Sequence, residues 1–288
     1  DGSLNANFFV FPELEAPSSG LLAEATEALG ELPTPVRIEV PALIEPYTPN
    51  LDVQLEAVWR HRPAVLTFHL GLPPEHVVEQ AHRQNIAVGV TATCLREAKL
   101  IAAAGADFVV AQGWEAGGHR GTFTADADDE ALPLLALVRA LSKDLSIPIV
   151  AAGGLMNGGD IAKVIAAGAT AAQLGTAFLC CDEAGTPATH REVLTAAAAE
   201  TVFTSAFSGR PARGVRNTFI EAMAGKPVLP FPQQNTLTGS LRQWAASAEQ
   251  PGFQSVWSGS GLGGIRPMSA AQLMATLKHE LARAAIRS

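Results

Sequence analysis

Short apolar runs rich in Val, Ile and Phe alternate along the chain with Ala-rich stretches whose apolar positions recur at helical spacing. The runs at 5–11 (NANFFVF), 64–70 (AVLTFHL), 86–91 (IAVGVT), 108–112 (FVVAQ), 148–152 (PIVAA) and 171–174 (AAQL) predict strands. The stretches 74–84, 95–104, 129–141 and 159–167 predict the helices between them. The strand runs are continuously apolar rather than alternating, as expected for parallel strands buried on both faces. Six such units predict a doubly wound sheet or a (β/α)8 barrel.

A repeat strengthens the barrel reading. IAVGVTATCLREAKLIAAAGADFVVAQG and IVAAGGLMNGGDIAKVIAAGATAAQLG share one layout of strand, polar or glycine turn, helix, and second strand ending on a glycine. Gly105 and Gly168 occupy equivalent positions, where a helix C-terminus favours a left-handed residue. The chemically unusual residues fall at the strand ends: Asn7, His69, Thr91, Thr93, Gln112, Gly153, Gly154, Gly175 and Thr176. In a barrel, that is the face on which active sites are built.

Two groups of these residues suggest chemistry. AAGGLMNGGD (151–160) lets the backbone approach a ligand closely, and its second glycine pair opens a helix whose free N–H groups suit an anion. The next strand ends in Gln173, Leu174, Gly175 and Thr176, adding another exposed turn and a hydroxyl. Together they predict a phosphate cradle on the last two strands. The preceding loop, AQGWEAGGHRG (111–121), carries His119 behind Gly117 and Gly118. An imidazole there can take a proton from carbon or stabilise charge on a substrate. Arg120 reads equally as an anion ligand or as half of a structural ion pair, and Glu115 as scaffolding that orients a neighbour.

AQGWEAGGHRG, PIVAAGGLMNGGDIAKVIAAGATAAQLGTAFL and FSGRPARGVRN together resemble the nitronate monooxygenase (2-nitropropane dioxygenase) family, over a region running from about Asn7 to the C-terminus. The resemblance implies an FMN-dependent TIM-barrel enzyme that oxidises alkyl nitronates with O2 to a carbonyl compound and nitrite or nitrate. Nitroalkanes and propionate 3-nitronate are further candidate substrates. It implies His119 as catalytic base or polarising residue, and FMN contacts from Asn7, Gln112, Gly117, Gly154, Gln173, Leu174, Gly175 and Thr176. An FMN-dependent enoyl-ACP reductase and an NAD(P)H:quinone reductase are the related alternatives, and a catalytically inactive flavin-binding barrel is one of another class. The family's first two βα units have no counterpart here, and the WSGSG stretch at 257–261 departs from many relatives.

Residues 1–180 thus read as barrel units, strands three to eight of the family pattern. Residues 181–288 read as a helical lid or insert with a barrel-closing segment, within one structural domain. Helices are expected at 185–200 and 229–250, and a turn holding two arginines at 209–214. His69 reads as a satisfied strand-end histidine, Trp244 and Trp257 as packing, and Cys94 as buried and inert.

Composition narrows the partners. Twenty Lys and Arg against 28 Asp and Glu leave a net charge of −8 with no basic run, which argues against nucleic acid or an anionic membrane surface. No apolar stretch reaches spanning length, and the opening DGSLNAN does not read as a signal peptide. Three cysteines without metal-ligand spacing predict no metal and a reducing compartment, the cytoplasm. A homodimer is left open as an assembly.

Overall fold

The computed structural model describes residues 3–286 apart from 36, 38, 125–128 and 197–198. Six parallel strands form its main sheet: β1 (Asn5–Phe9), β2 (Val65–His69), β3 (Ala87–Ala92), β4 (Phe108–Gln112), β6 (Ile149–Ala152) and β7 (Ala171–Gln173). Their spatial order is their chain order, β1-β2-β3-β4-β6-β7, and the sheet curls into a TIM-barrel-like half-barrel. Six strands are what the sequence predicts once the first two βα units of the family pattern are missing, and they do not close into a ring. β1 and β7 end the sheet and do not pair with each other, because barrel closure links strand number to tilt and stagger.

The central strands are buried on both faces, and this accounts for their continuous apolar runs. Leu66, Phe68, Val88, Val109 and Ala111 are fully buried in one core cluster. Against them pack α3 (Glu75–Arg83), α4 (Leu95–Ala103) and α5 (Leu134–Asp144), through Val77, Ala81, Ile101, Leu137 and Leu141. α2 (Leu51–His61) adds Leu55 and Val58 to the same cluster. Cys94 is buried just before α4, and burial pushes its thiol pKa up, as suits an inert packing residue.

Several elements differ from the expectation. The helix expected over 129–141 begins only at Leu134, after Pro133, and Asp129 lies ahead of it in an ion pair with Arg120. The 185–200 stretch gives α7 (Ala188–Thr195), and 229–250 gives α9 (Gln233–Leu237) and α10 (Gly239–Ser247). A small antiparallel sheet was not foreseen. It comprises β5 (Gly118–His119), β9 (Ala212–Val215) and β8 (Thr201–Thr204), in the order β5-β9-β8. The segment read as an arginine turn is therefore partly a strand. A second core forms where α1 (Ser19–Gly30) and α8 (Thr218–Ala222) meet α10, around Phe207, Phe219, Leu229 and Leu241.

The turn before α6 (Gly158–Ala166) also departs from its expected use. The terminal helix, α11 (Ala270–Ala285), crosses so close that a Cβ on Gly158 would lie 2.2 Å from the Leu281 nitrogen. The Gly158 N–H donates to Glu280, Asn157 caps the helix, and Asp160 accepts from the Met156 N–H. Two carboxylates already complement this helix end, so it is not the anion cradle the glycine pair suggested.

Candidate active site

A cavity of about 440 Å³ opens at the C-terminal ends of the main-sheet strands, within the range of roughly 300–1,000 Å³ found for small-molecule and cofactor sites. All nine residues singled out above line it: Asn7, Gln112, Gly117, His119, Gly154, Gln173, Leu174, Gly175 and Thr176. They come from β1, β4, β5, β6 and β7 and the turns that follow, so parallel alignment of the strands is what gathers them.

One end of the cavity is built by the turns after β6 and β7. Gly154 has φ +67°, and a Cβ there would meet the Glu115 side chain at 2.8 Å. A Cβ on Gly175 would meet nothing within 4 Å. Among the described residues, the backbone N–H groups of Gly154, Gly175 and Thr176 donate to no protein acceptor. Free N–H donors beside an uncrowded glycine suit a phosphate. The Thr176 hydroxyl accepts from the Gly259 N–H at 2.9 Å, and this ties the 257–261 stretch to the same end. The free donors at this end belong to these two turns and not to the α6 N-terminus.

The opposite end carries His119, and its loop is held at several points. The His119 carbonyl accepts from Gln112 Nε2 at 2.9 Å and from His69 Nε2 at 3.0 Å. Gln112 Oε1 accepts from the Gly121 N–H, so both ends of this amide are engaged with the loop. Gln112 thus positions His119 as well as lining the cavity. β5 pairs with β9, His119 opposite Ala212, and the ring Nε2 lies 2.9 Å from Ser208 Oγ. Rings of Phe9, Phe231 and Trp257 surround the imidazole at centroid distances of 5.6, 4.9 and 5.9 Å. Trp257 lines the cavity as well as packing on Phe207.

Burial sets the charge state of both histidines. It pushes His119 down to about 4, with His69 and Arg210 adding to the effect. His69 is likewise pushed down to about 4 by burial, against the support of its bond to the His119 carbonyl. Both imidazoles are neutral at pH 7. His69 is satisfied, as the sequence suggested, yet it also faces the cavity.

The charged residues around the cavity are held by contacts within the protein. Arg120 is buried and makes a two-bonded pair with Asp129, at 2.6 and 2.9 Å, plus a bond to the Gln112 carbonyl. Of the two readings left open for Arg120, the structural one holds. Arg210 donates to the carbonyl of Thr122, and Arg213 bonds the Trp114 carbonyl and lies 4.2 Å over the Phe203 ring. Glu115 accepts the Leu134 N–H and so caps α5. Gly117 is demanded by protein and not by ligand, since its Cβ would lie 2.4 Å from the Gly259 nitrogen. Asn7 Oδ1 is taken by the Thr67 hydroxyl at 2.9 Å, which leaves the amide N–H groups for a ligand.

Sequence reasoning missed Ser208 and the aromatic wall of Phe9 and Phe231. Ser208 is 89 residues from His119, and no periodic pattern links them; only the pairing of β5 with β9 does.

The fold and cavity define a TIM-barrel-like α/β protein with phosphate-suited turns at one end and a neutral, half-buried histidine at the other. Comparison gives the family: the nitronate monooxygenase model matches residues 1–280, and the chain belongs to that family. It is 44% identical over 231 residues to a nitronate monooxygenase of Pseudomonas aeruginosa, covering 79% of this chain and 66% of that protein. It is 31% identical over 284 residues to a probable nitronate monooxygenase of Bacillus subtilis, covering 97% of this chain and 81% of the relative. Among solved structures, nitroalkane oxidase from Streptomyces ansochromogenes superposes with a TM-score of 0.90 at 37% identity, covering 98% of this chain and 81% of that one. FabK from Thermotoga maritima follows at 0.69 and 26%, covering 83% and 75%. The chain spans just under two thirds of the length of the first curated relatives it matches, 66% and 61%. Among the described residues, no helix is long and apolar enough to cross a membrane.

Proposed function

We propose that this chain carries the catalytic machinery of an FMN-dependent, cytoplasmic oxidoreductase that converts alkyl nitronates and O2 to a carbonyl compound and nitrite or nitrate. The family membership supports the reaction class. The observation that carries the site assignment is the fixed placement of a neutral imidazole, His119, across one cavity from the free N–H groups of Gly154, Gly175 and Thr176. In this reading the six parallel strands are strands three to eight of a (β/α)8 barrel.

The residues present fit FMN. The N–H groups of Gly154, Gly175 and Thr176 would hold its phosphate, and Asn7, Gln112, Gly117 and the 173–174 segment would line the rest of the molecule. Bound there, FMN supplies the electron-accepting chemistry that no side chain provides. The chain's own residues position and deprotonate. His119 meets the substrate, Phe9 and Trp257 exclude water on its flank, and His69 and Gln112 hold its backbone in place.

The test is the visible spectrum of the purified protein, followed by anaerobic addition of a nitronate. Flavin bands that bleach with substrate and return with air support both cofactor and reaction class. A colourless protein that takes up no added FMN would overturn the proposal. A narrower result is expected at the phosphate end. Gly175→Ala puts a methyl into the uncrowded space of the cradle, where no protein atom lies within 4 Å. FMN affinity should fall by on the order of tenfold, which corresponds to ~1.4 kcal/mol, while the melting temperature of the apoprotein stays put. Unaltered affinity by fluorescence titration would move the phosphate elsewhere.

A further inference from the structure

We propose that Ser208 is a positioning residue that fixes His119 as the Nε2–H tautomer and so leaves the Nδ1 lone pair as the proton acceptor. The inference rests on the oxidase reading above and names the atom through which His119 works.

The assignment follows from counting protons around one hydroxyl. Ser208 Oγ lies 2.9 Å from His119 Nε2, 3.1 Å from the Arg210 carbonyl oxygen and 3.4 Å from the Arg210 N–H. A hydroxyl has one proton and two acceptor sites. The contact with the carbonyl oxygen can be favourable only if the serine proton lies between the two oxygens, since a carbonyl only accepts. The hydroxyl must then accept from its other neighbours, which are the Arg210 N–H and His119 Nε2. The imidazole proton therefore sits on Nε2. Ser208 is buried and belongs to the turn that leads into β9, which pairs with β5, so the anchor and its histidine are fastened together by backbone.

The other ring nitrogen is the one left for chemistry. Among the described residues, Nδ1 of His119 has no hydrogen-bond partner, and it is not a sealed, unsatisfied atom either. His119 lines the cavity, and Nδ1 is the ring nitrogen left without a protein partner there. The groups that face this ring are the His69 imidazole, the Arg210 guanidinium and the rings of Phe9, Phe231 and Trp257; the charged one, Arg210, disfavours protonation.

An outward lone pair selects the form of the substrate. A nitronate oxygen brought to Nδ1 would meet a lone pair, whereas the α-carbon of a neutral nitroalkane brings a proton. Nδ1 takes that proton, the C–H electron pair moves into a C=N bond, and the negative charge passes to the nitro oxygens. The products of this step are an imidazolium and a nitronate in the same cavity. His119 is thus a base toward a neutral nitroalkane, from which it makes the nitronate in place, whereas a preformed nitronate is oxidised without calling on Nδ1.

The tautomer can be read directly in the full chain labelled with 15N-histidine, at pH 7 and without substrate. His119 is assigned by the signal missing from His119→Gln. A protonated Nε2 with a pyridine-type Nδ1 is expected. A protonated Nδ1 would overturn the assignment, whatever the enzyme turns over. In kinetics, Ser208→Ala should lose at least about tenfold more kcat/KM with a neutral nitroalkane than with its preformed nitronate, and Ser208→Thr should recover most of it. Equal losses with the two substrate forms would overturn the role given to Ser208. The Nε2–H tautomer in a chain that oxidises neither substrate would sink the oxidase reading and leave the tautomer standing.

Discussion

Replacing His119 by alanine is expected to cut turnover of a neutral nitroalkane by about 10²–10⁴-fold, the usual contribution of a positioned general base. The protein should still fold and bind FMN, because the contacts that hold the loop are made to the His119 carbonyl, which alanine keeps. Oxygen consumption measures the loss, and the visible spectrum of the same sample checks the cofactor. Full activity in a flavin-loaded His119→Ala protein would remove His119 from the mechanism. The pH profile carries a second expectation. Burial first, then His69 and Arg210, lower the imidazole to about 4. The base is thus already deprotonated where an ordinary histidine, near ~6.5, is half protonated. kcat/KM for the nitroalkane should stay level from pH 7 to below 6 and decline only as pH approaches that lower value. A decline centred near 6.5 would mean that the imidazole is far better solvated than its surroundings indicate.

The second large effect is on stability. Asp129→Asn should destabilise the fold by about 2–4 kcal/mol, somewhat less than the roughly 3–5 kcal/mol of a fully buried broken pair. The discount applies because the Asp129 side chain keeps 22% of its exposure, against 3% for its partner Arg120. What the substitution leaves behind is a guanidinium nearly without water, still bonded to the Gln112 carbonyl but lacking its counter-charge. With a melting temperature moving roughly 2–4 °C per kcal/mol in proteins of this size, calorimetry should show a drop of about 4–16 °C. A drop under 1 °C would make the pair ornamental. Burial works to raise the Asp129 pKa, but the hydrogen bonds from Arg120 and Ala131 and the Arg120 charge outweigh it and hold the carboxyl below its usual value. The pair's contribution is therefore complete above the unfolded carboxylate's pKa and is lost as pH falls through the lower folded one. The two lowered histidines act in the same direction over a higher window. The unfolded chain takes up their protons near 6.5 while the folded one resists until about 4, so stability declines as pH falls across that interval.

The loss at Asp129 would also reach the active site. Arg120 follows His119 directly, and Arg120 and Gly121 both bond to Gln112, which in turn holds the His119 carbonyl. The ion pair therefore supports the loop from behind, and Arg120 spends its charge on structure.

The sequence by itself determined the six parallel strands, because each is a short, continuously apolar run closed by turn residues, and only burial on both faces suits such a run. It also determined which residues meet. In a parallel sheet every strand end lies on one side, so Asn7, Gln112, Gly154 and Thr176 were bound to converge wherever the units stacked in order. Tertiary structure decided what each convergent residue does. The glycine pair at 158–159 has the spacing of an anion site, but α11 covers it and Glu280 takes its N–H. Gly117 admits the 258–259 backbone. Arg120 and Asp129 meet because the fold lays the segment before α5 beside the His119 loop. Ser208 reaches His119 across 89 residues through the β5–β9 pairing, a short two-residue contact that leaves no hydrophobic period to read. Period and burial are local properties of a chain, whereas the partner of a hydroxyl or a guanidinium is set by whichever distant segment the fold lays beside it.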